Sequence, residues 1–301
     1  MNKIIIVSGP TASGKSGLAI DIAKKLNSQI LSADSMQIYR YMDIGTAKVT
    51  ASEMQNVKHY MLDVVNPDQE YSVSDYASMA KDIIDKLHKD NIIPIICGGT
   101  GLYIDSILYP LQMGAKDDAV RQKYQQEYEL HGATYMHDKL KVIDPKEAEK
   151  VHENNVKRVL RALEIFELTG KTKSEQADRN ESLQYDTLLI TLNPNKEELY
   201  RKIDERVDQM FNQGLEDEVK SLLDRGYNFN LQSMQAIGYK EFKDYFDGVI
   251  TLDQLKDEIK KGTRHYAKRQ VTWFKRYPFA NMCDINDKAS IMKLVDNFVR
   301  K

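Results

Sequence analysis

The chain has 301 residues, of which 29% are charged, and its formal net charge at pH 7 is only −2. This length suits two domains or one domain with an insertion, and the balanced charge excludes a chain-wide basic surface, so any nucleic-acid interface must be local. The two cysteines, Cys97 and Cys283, form no C-x-x-C pair, which excludes a zinc knuckle or a disulfide framework. Because the sequence shows neither a signal peptide nor an apolar run of about 18 residues, we expect a cytoplasmic protein without a membrane span.

The first predicted elements are a short strand, a glycine-rich loop and a helix. Residues 3–7 are mostly apolar and β-branched, as in a buried strand, and residues 17–26 carry apolar side chains at helical spacing. Between them, residues 9–16 read GPTASGKS and match the phosphate-binding pattern G-x-x-x-x-G-K-[ST]. Backbone N–H groups and a helix N-terminus then face an anion. Lys15 would add a positive charge and Ser16 an oxygen for Mg²⁺; the alternative is a glycine-rich turn with an exposed lysine.

Four further strands are predicted, at residues 29–33, 60–65, 91–97 and 187–192. A helix is predicted between two of them, over residues 74–88, with Ser74 as its N-cap. This alternation predicts an α/β fold with a parallel sheet and helices on both faces. Ligands of such sheets bind beyond the carboxyl ends of the strands, so the residues directly after each strand are candidates for a site.

The strand pattern stops between residues 112 and 182, where the sequence is highly charged. Helices are predicted at residues 122–130, 145–151 and 155–169, the last ending at Gly170. We therefore predict an inserted all-helical subdomain over residues 112–182. The core domain would comprise residues 1–111 and 183–301, with helices at its C-terminal end.

Three polar residues of the core domain are candidates for chemistry. Asp34 could act as a general base, bind Mg²⁺, or only close a turn by bonding to its own backbone. Thr100 lies in the run Gly98-Gly99-Thr100-Gly101, whose glycines would let a ligand approach closely; its hydroxyl could bond a substrate or cap the next helix. Arg206 lies on a charged amphipathic helix, where an arginine is most often simply solvated.

The strongest local basic patch is near the C-terminus. Residues 260–277 contain seven lysines and arginines and no acidic residue. On a helix, one stripe would carry Lys261, Arg264, Lys268, Thr272 and Lys275. Aromatic residues interleave with these cations, a combination suited to an RNA backbone and unstacked bases. The alternative is a solvated basic face on an ordinary helix.

Several segments together resemble those of the bacterial tRNA dimethylallyltransferases, also called tRNA isopentenyltransferases. They follow the family's order from residue 1 to about 280 and comprise residues 9–16, 32–39 (SADSMQIY), 42–48 (MDIGTAK), 98–103 (GGTGLY), 158–164 (RVLRALE), 236–240 (AIGYK) and 268–274 (KRQVTWF). The resemblance implies a P-loop NTPase-like core. It also implies transfer of the dimethylallyl group of dimethylallyl diphosphate to N6 of adenine 37, next to the tRNA anticodon, with release of diphosphate.

The same resemblance implies roles for individual residues. Asp34 would take the N6 proton, Thr100 would hold the reacting region open to both substrates, and Ser16 would bind Mg²⁺, the one expected cofactor. Lys15 and Arg206 complete the implied catalytic set, because cations stabilise the charge that grows on the leaving group. The implied diphosphate-binding residues are Gly9, Pro10, Thr11, Ala12, Ser13, Gly14, Lys15, Ser16 and Arg206.

The resemblance further implies a binding surface for the tRNA anticodon stem-loop on a monomeric protein. The implied tRNA-binding residues are Asp34, Ser35, Met36, Gln37, Thr100, Arg121, Lys157, Arg158, Val159, Leu160, Arg161, Gln235, Gly238, Tyr239, Lys240, Lys268, Arg269, Gln270, Trp273 and Lys275.

Three other functions fit parts of the sequence. A small-molecule kinase that binds ATP and Mg²⁺ would explain the phosphate loop and Asp34, but not the basic aromatic helix. Prenylation of a free adenine nucleotide would leave the insertion and the basic helices without a purpose. A non-catalytic RNA-binding module with a vestigial loop predicts that Lys15→Ala leaves RNA binding unchanged.

Overall fold

The structure, a computed structural model, describes residues 2–110, 117–177 and 182–300. The chain divides into two compact units, one formed by residues 1–109 and 183–301 and the other by residues 110–182. The predicted boundary between residues 111 and 112 lies outside the described residues.

The first unit is built on a parallel sheet with the strand order β3-β2-β4-β1-β5-β6. Its strands are β1 (Lys3–Ser8), β2 (Ile30–Ala33), β3 (His59–Tyr60), β4 (Ile95–Gly98), β5 (Asp186–Leu192) and β6 (Asn281–Cys283). The central strand β1 pairs in parallel with both β4 and β5, so that Val7 lies beside Cys97 and Ile190. The predicted α/β fold with a parallel sheet is confirmed.

Helices account for most of the remaining described chain. In chain order they are α1 (Lys15–Leu26), α2 (Ala51–Met54), α3 (Val73–Lys89), α4 (Gly101–Leu108), α5 (Asp118–Ile143), α6 (Pro145–Lys150), α7 (Val156–Thr169), α8 (Lys173–Ala177), α9 (Lys196–Asn212), α10 (Leu215–Asp224), α11 (Phe242–Phe246), α12 (Leu252–Phe274) and α13 (Lys288–Arg300). A 3₁₀ turn spans Ser233–Gln235.

Both faces of the sheet are buried, as the apolar character of β1 requires. Successive side chains of a strand point to opposite faces: Ile4 and Ile6 pack against α3, α4 and α12, while Ile5 and Val7 pack against α1 and α13. All four side chains are fully buried. The strand ends are therefore rigidly held, and the loops that follow them have fixed positions.

Three details of the predicted elements are wrong for local reasons. The strand expected at residues 60–65 ends at Tyr60, because Met61 and Asp63 adopt a left-handed backbone that interrupts an extended chain. The N-cap of α3 is Ser72, which forms a reciprocal capping box with Asp75, and not Ser74. The strand expected from residue 91 begins at Ile95, since the chain first turns through Asn91, which also has a positive φ.

Strand β6 was missed, because its three residues are only partly buried and follow no alternating pattern. It lies at the edge of the sheet beside β5.

Every element in the described part of the second unit is a helix. The helix predicted at residues 122–130 is part of the longer α5, which is interrupted at Gly132, where φ is 82°. Helix α7 matches its predicted range closely and ends at Gly170, whose φ of 66° provides the left-handed C-cap. A separate apolar core joins α5, α6 and α7.

Among the described residues, no helix combines the length and apolarity needed to cross a membrane.

Candidate active site

A cavity of about 320 Å³ opens beside the carboxyl ends of β1 and β2 in the first unit. Its walls include Lys15 from the loop after β1, Asp34 from the turn after β2, Arg206 from α9 and Tyr266 from α12. This is the position that parallel α/β sheets use for ligands. The topology thus brings together residues that are up to 251 positions apart in sequence, counted from Lys15 to Tyr266.

The loop of residues 9–16 has the backbone of an anion-binding turn. Positive φ angles at Gly9 (145°), Ala12 (61°) and Gly14 (87°) curl it around the start of α1. No side chain caps that helix, which leaves the N–H groups of its first turn available for an anion. The buried Ser13 hydroxyl has no hydrogen-bond partner among the described residues, as expected of a group that binds a ligand.

Two cations, Lys15 and Arg206, face this cavity, and neither forms an ion pair with a carboxylate of the described residues. Lys15 Nζ donates to the Pro10 carbonyl at 3.2 Å. Burial lowers the pKa of Lys15; Cys97 and Asp34 partly oppose this decrease, and Arg206 adds to it. Burial also lowers the pKa of Arg206, whose guanidinium forms no hydrogen bond or ion pair with the described residues. Two cations in one cavity, neither of them in an ion pair, are electrostatically suited to a dianionic or trianionic ligand.

Asp34 closes the turn after β2, which was one of the three roles that its sequence position left open, and it also lines the cavity. One carboxylate oxygen, Oδ1, accepts the Met36 N–H at 2.9 Å, which closes the turn after β2. The side chain is only half-buried and lines the cavity. Its second oxygen has no hydrogen-bond partner among the described residues, so it is free to accept a proton from a substrate.

Thr100 does not cap α4 with its side chain. Its hydroxyl instead accepts the Ser35 N–H at 3.0 Å and lies 3.4 Å from the Ser35 hydroxyl. Thr100 therefore fixes the residue that follows Asp34. Burial raises the pKa of the neighbouring Tyr266, with a further contribution from the Asp34 charge, so this phenol stays protonated as a donor at the cavity wall.

The glycines of residues 98–101 lie against other parts of the protein, and their expected role in the approach of a ligand stays a prediction. Gln270 on α12 donates to the Gly99 carbonyl at 3.0 Å and accepts the Thr11 N–H at 2.8 Å. A Cβ atom on Gly99 would overlap Gln270, and one on Gly101 would overlap Trp273. Helix α12 can thus approach the strand ends only because side chains are absent there.

Comparison with known proteins places this geometry in a family. Residues 37–277 match the profile of the IPP transferases. The chain is 46% identical to a protein named tRNA dimethylallyltransferase of Caldanaerobacter subterraneus subsp. tengcongensis, with 98% of this chain and 96% of the relative covered. It is 44% identical to the protein of that name in Clostridioides difficile, with 98% and 96% covered. The chain belongs to the IPP transferase family.

Solved structures agree with this assignment. A full-length tRNA isopentenylpyrophosphate transferase from Bacillus halodurans is 38% identical, with a TM-score of 0.74 and coverage of 100% of this chain and 99% of that one. A eukaryotic dimethylallyltransferase, described as acting on tRNA, is 28% identical with a TM-score of 0.86, and 100% of this chain covers 80% of it. The expected family resemblance is confirmed.

The oxygen donors near the phosphate loop are suited to a Mg²⁺ ion that has few protein ligands. The described residues contain no group of three or more acidic, histidine or cysteine side chains that could hold a metal. Mg²⁺ commonly uses one or two protein oxygens together with substrate phosphates and water. The exposed Ser16 hydroxyl on the first turn of α1 and the carboxylate of Asp34, which lines the cavity, are oxygen donors of this kind.

The expected tRNA-binding residues fall into three groups. The exposed ones are Arg121, Lys157, Arg158, Gln235, Lys240, Lys268, Arg269 and Lys275. Partly buried ones are Asp34, Ser35, Met36, Gln37, Thr100, Arg161 and Trp273. Gln37 already uses its amide within the protein, by donating to the Thr46 and Ala47 carbonyls.

Five expected tRNA-binding residues are buried in this structure, and their contact with tRNA stays a prediction. Val159 and Leu160 belong to the core of the second unit. Tyr239 is fully buried and donates to Glu218, and Gln270 bonds the backbone as described above. Gly238 is also buried. Val159, Leu160 and Tyr239 belong to apolar cores, whereas Gly238 and Gln270 line the cavity.

The basic stripe of α12 is also smaller than expected. Within the stripe, Arg264 is held by both carboxylate oxygens of Asp204, at 2.6 and 2.8 Å. Outside the stripe, Lys260 pairs with Asp208 at 2.7 Å. Lys261 and Lys268 remain exposed on this helix, and Lys275 is exposed at its C-cap.

Sequence reasoning missed two residues that organise the site. Tyr266 was noted only as one of several aromatic residues on the basic helix. Glu218 of α10 was missed altogether, because one acid in a charged amphipathic helix gives no signal; its contacts with residues 43–45 are visible only in the structure.

Proposed function

We propose that this protein, a tRNA dimethylallyltransferase, transfers the dimethylallyl group from dimethylallyl diphosphate to N6 of adenine 37 of tRNA. The observation that carries the proposal is the pair of cations Lys15 and Arg206 in one cavity with a carboxylate, Asp34, that keeps one oxygen unbonded. The cations suit a leaving diphosphate, and the carboxylate suits an amine that must lose a proton.

In the proposed reaction, N6 of the adenine forms a bond to C1 of the dimethylallyl group while the bond from C1 to the diphosphate oxygen breaks. The bonding pair leaves with diphosphate, and the N6 proton passes to Asp34. Backbone N–H groups of the loop of residues 9–16, Lys15 and Arg206 stabilise the charge on the leaving oxygen. A positioned general base contributes roughly 10²–10⁴-fold in rate.

Ser16 would hold a Mg²⁺ ion together with oxygens of the diphosphate. When bound, the ion neutralises part of the negative charge that the leaving group gains. The buried hydroxyl of Ser13, which has no protein partner among the described residues, is available to donate to the same diphosphate.

The exposed cations of α12 would bind the backbone of the anticodon stem-loop. Lys268, Arg269 and Lys275 are exposed, and Trp273 lies among them, half-buried. The adenine must leave its stack to enter the cavity, which costs a few kcal/mol and is cheapest in a loop. We also propose that the protein acts in the cytoplasm, because its proposed substrate is tRNA, and that it acts as a monomer, because every residue lining the cavity belongs to one compact unit.

The test is a transfer assay with labelled dimethylallyl diphosphate, Mg²⁺ and unmodified tRNA. We expect label in the tRNA, and no label when adenine 37 is replaced. Parallel reactions contain ATP with small acceptors, or free AMP with the labelled donor. ADP release that depends on an acceptor would make the protein a kinase, and efficient labelling of AMP would exclude tRNA as the required acceptor.

The role of Asp34 is tested with Asp34→Asn in the same assay. Turnover should fall roughly 10²–10⁴-fold while the dissociation constant of tRNA stays the same, because the base acts in the chemical step. Asp85→Asn, an exposed change on α3, is the matched control and should not alter turnover. Full activity of Asp34→Asn would remove Asp34 as the base.

A further inference from the structure

One wall of the cavity is an irregular segment, residues 43–48, for which the proposed reaction gives no role. Its residues Gly45, Thr46 and Ala47 line the cavity together with Lys15 and Asp34. The segment contains no regular secondary structure, and Ala47 has a φ of 49°, in the left-handed region that non-glycine residues rarely adopt. Such a wall keeps its shape only if contacts from elsewhere hold it.

At residues 43–45 these contacts come from one carboxylate on α10. Glu218 accepts the N–H groups of Asp43 at 2.8 Å, Ile44 at 2.7 Å and Gly45 at 3.1 Å. It also accepts the hydroxyl of Tyr239 at 2.6 Å. Four donors thus converge on two oxygens, which is an arrangement that an ionised carboxylate can satisfy and an amide cannot.

The position of Tyr239 supports this arrangement around Glu218. Tyr239 is fully buried; burial raises its pKa, with the charge of Glu218 as the next cause, so that its hydroxyl keeps the proton it donates. The tyrosine ring also lies against Gly45, where an added Cβ would come within 2.5 Å of the ring. The segment therefore fits only with a glycine at this position.

Hydrogen bonds connect the same segment to the turn that carries Asp34. Gln37 donates to the carbonyls of Thr46 at 3.3 Å and Ala47 at 3.2 Å. The side-chain amide oxygen of Gln37, Oε1, accepts the hydroxyl of Ser32 at 3.1 Å. Ser32 and Gln37 flank Asp34 in sequence, so a shift of residues 43–47 would be transmitted to both sides of that carboxylate.

We infer that Glu218 is a positioning residue for the transfer reaction: by binding three consecutive N–H groups it sets where residues 43–47 stand relative to Asp34. The inference rests on the proposed function for its kinetic consequence. Its structural part, the hold on residues 43–45, is independent of any substrate.

The test compares Glu218→Gln and Tyr239→Phe with Glu216→Gln, a control on the same helix whose side chain pairs with Lys220. For Glu218→Gln, we expect kcat/KM for dimethylallyl diphosphate to fall at least tenfold and the tRNA dissociation constant to stay within twofold. Amide hydrogen exchange of residues 43–45 in the free protein should accelerate at least tenfold. Tyr239→Phe should change the same quantities in the same direction but less, and the control should change none.

Unaltered exchange and unaltered kcat/KM in Glu218→Gln would overturn the inference, and so would an equal loss of tRNA affinity. If Glu218→Gln does not fold, Tyr239→Phe decides by the same criteria. If the wild-type protein transfers no label, the proposed function fails, while the exchange rates still show whether Glu218 holds the segment.

Discussion

Replacing Arg206 with glutamine should weaken catalysis and at the same time stabilise the free protein. The guanidinium is half-buried on α9, and no described residue pairs with it. Lys15 faces the same cavity and carries the same charge. A neutral side chain of similar length removes this repulsion and the cost of desolvating a cation.

The two effects differ in size because they arise in different states. In the reacting complex, the guanidinium can donate two hydrogen bonds to the diphosphate, each worth about 1.5–3 kcal/mol when the groups are charged. Their loss, about 3–6 kcal/mol, corresponds to a fall of roughly 10²–10⁴-fold in kcat/KM for the donor. In the free protein, the variant gains the free energy that the unsatisfied guanidinium costs. Because the side chain is only half-buried, this gain lies near the lower end of the usual cost, about 1 kcal/mol, which corresponds to a rise in Tm of about 2 °C.

The assay measures initial transfer rates over a range of dimethylallyl diphosphate concentrations, alongside thermal unfolding of the same preparation. Arg201→Gln is the control, because Arg201 is exposed on the same helix and pairs with Glu205. We expect it to leave kcat/KM unchanged. If Arg206→Gln lowers Tm by several degrees, Arg206 has a structural role and the electrostatic argument is wrong. If kcat/KM is unchanged, Arg206 is not a ligand of the diphosphate.

Three further predictions follow from the same cavity and from α12. Because burial lowers the pKa of Lys15, a pH profile of kcat/KM for the donor should fall on the alkaline side below pH 10.5. Between the lowered pKa of the folded protein and pH 10.5, the unfolded chain binds more protons than the folded one. The contribution of Lys15 to the free energy of unfolding should therefore rise with pH in this range, measured by denaturant unfolding. Lys268→Glu with Lys275→Glu should weaken tRNA binding and flatten its dependence on salt in filter-binding titrations, whereas Lys293→Glu should leave the slope as it was. Gln270→Leu leaves a buried N–H and a buried carbonyl unpaired, which should cost about 2–6 kcal/mol in denaturant unfolding; an unchanged unfolding midpoint would show that water replaces both bonds.

Features that depend on neighbours in sequence could be predicted from the sequence. The strand of residues 3–7 and the loop of residues 9–16 were predicted from local apolar and glycine patterns, because a parallel strand buried on both faces needs a continuous apolar run. Helix α7, with its glycine stop, follows from 3.6-residue periodicity in the same way. Position after a strand was also enough to select Asp34, since the chain order of strands and helices determines which edge of the sheet binds ligands.

The details of the site depended on contacts between distant residues, which no local pattern encodes. Gln270 reaches Thr11 across 259 positions, and Glu218 reaches Gly45 across 173. The sequence alone could show that Gly99 allows a close approach, but only the packing of α12 shows that Gln270 is what approaches. Likewise, a charged helix predicts solvated side chains, and only the fold distinguishes the unpaired Arg206 from its paired neighbours. The sequence by itself determined most of the elements and the edge of the sheet at which a ligand is expected, because both depend on local patterns and chain order. The tertiary structure decided which polar groups are satisfied by the protein and which remain for a substrate.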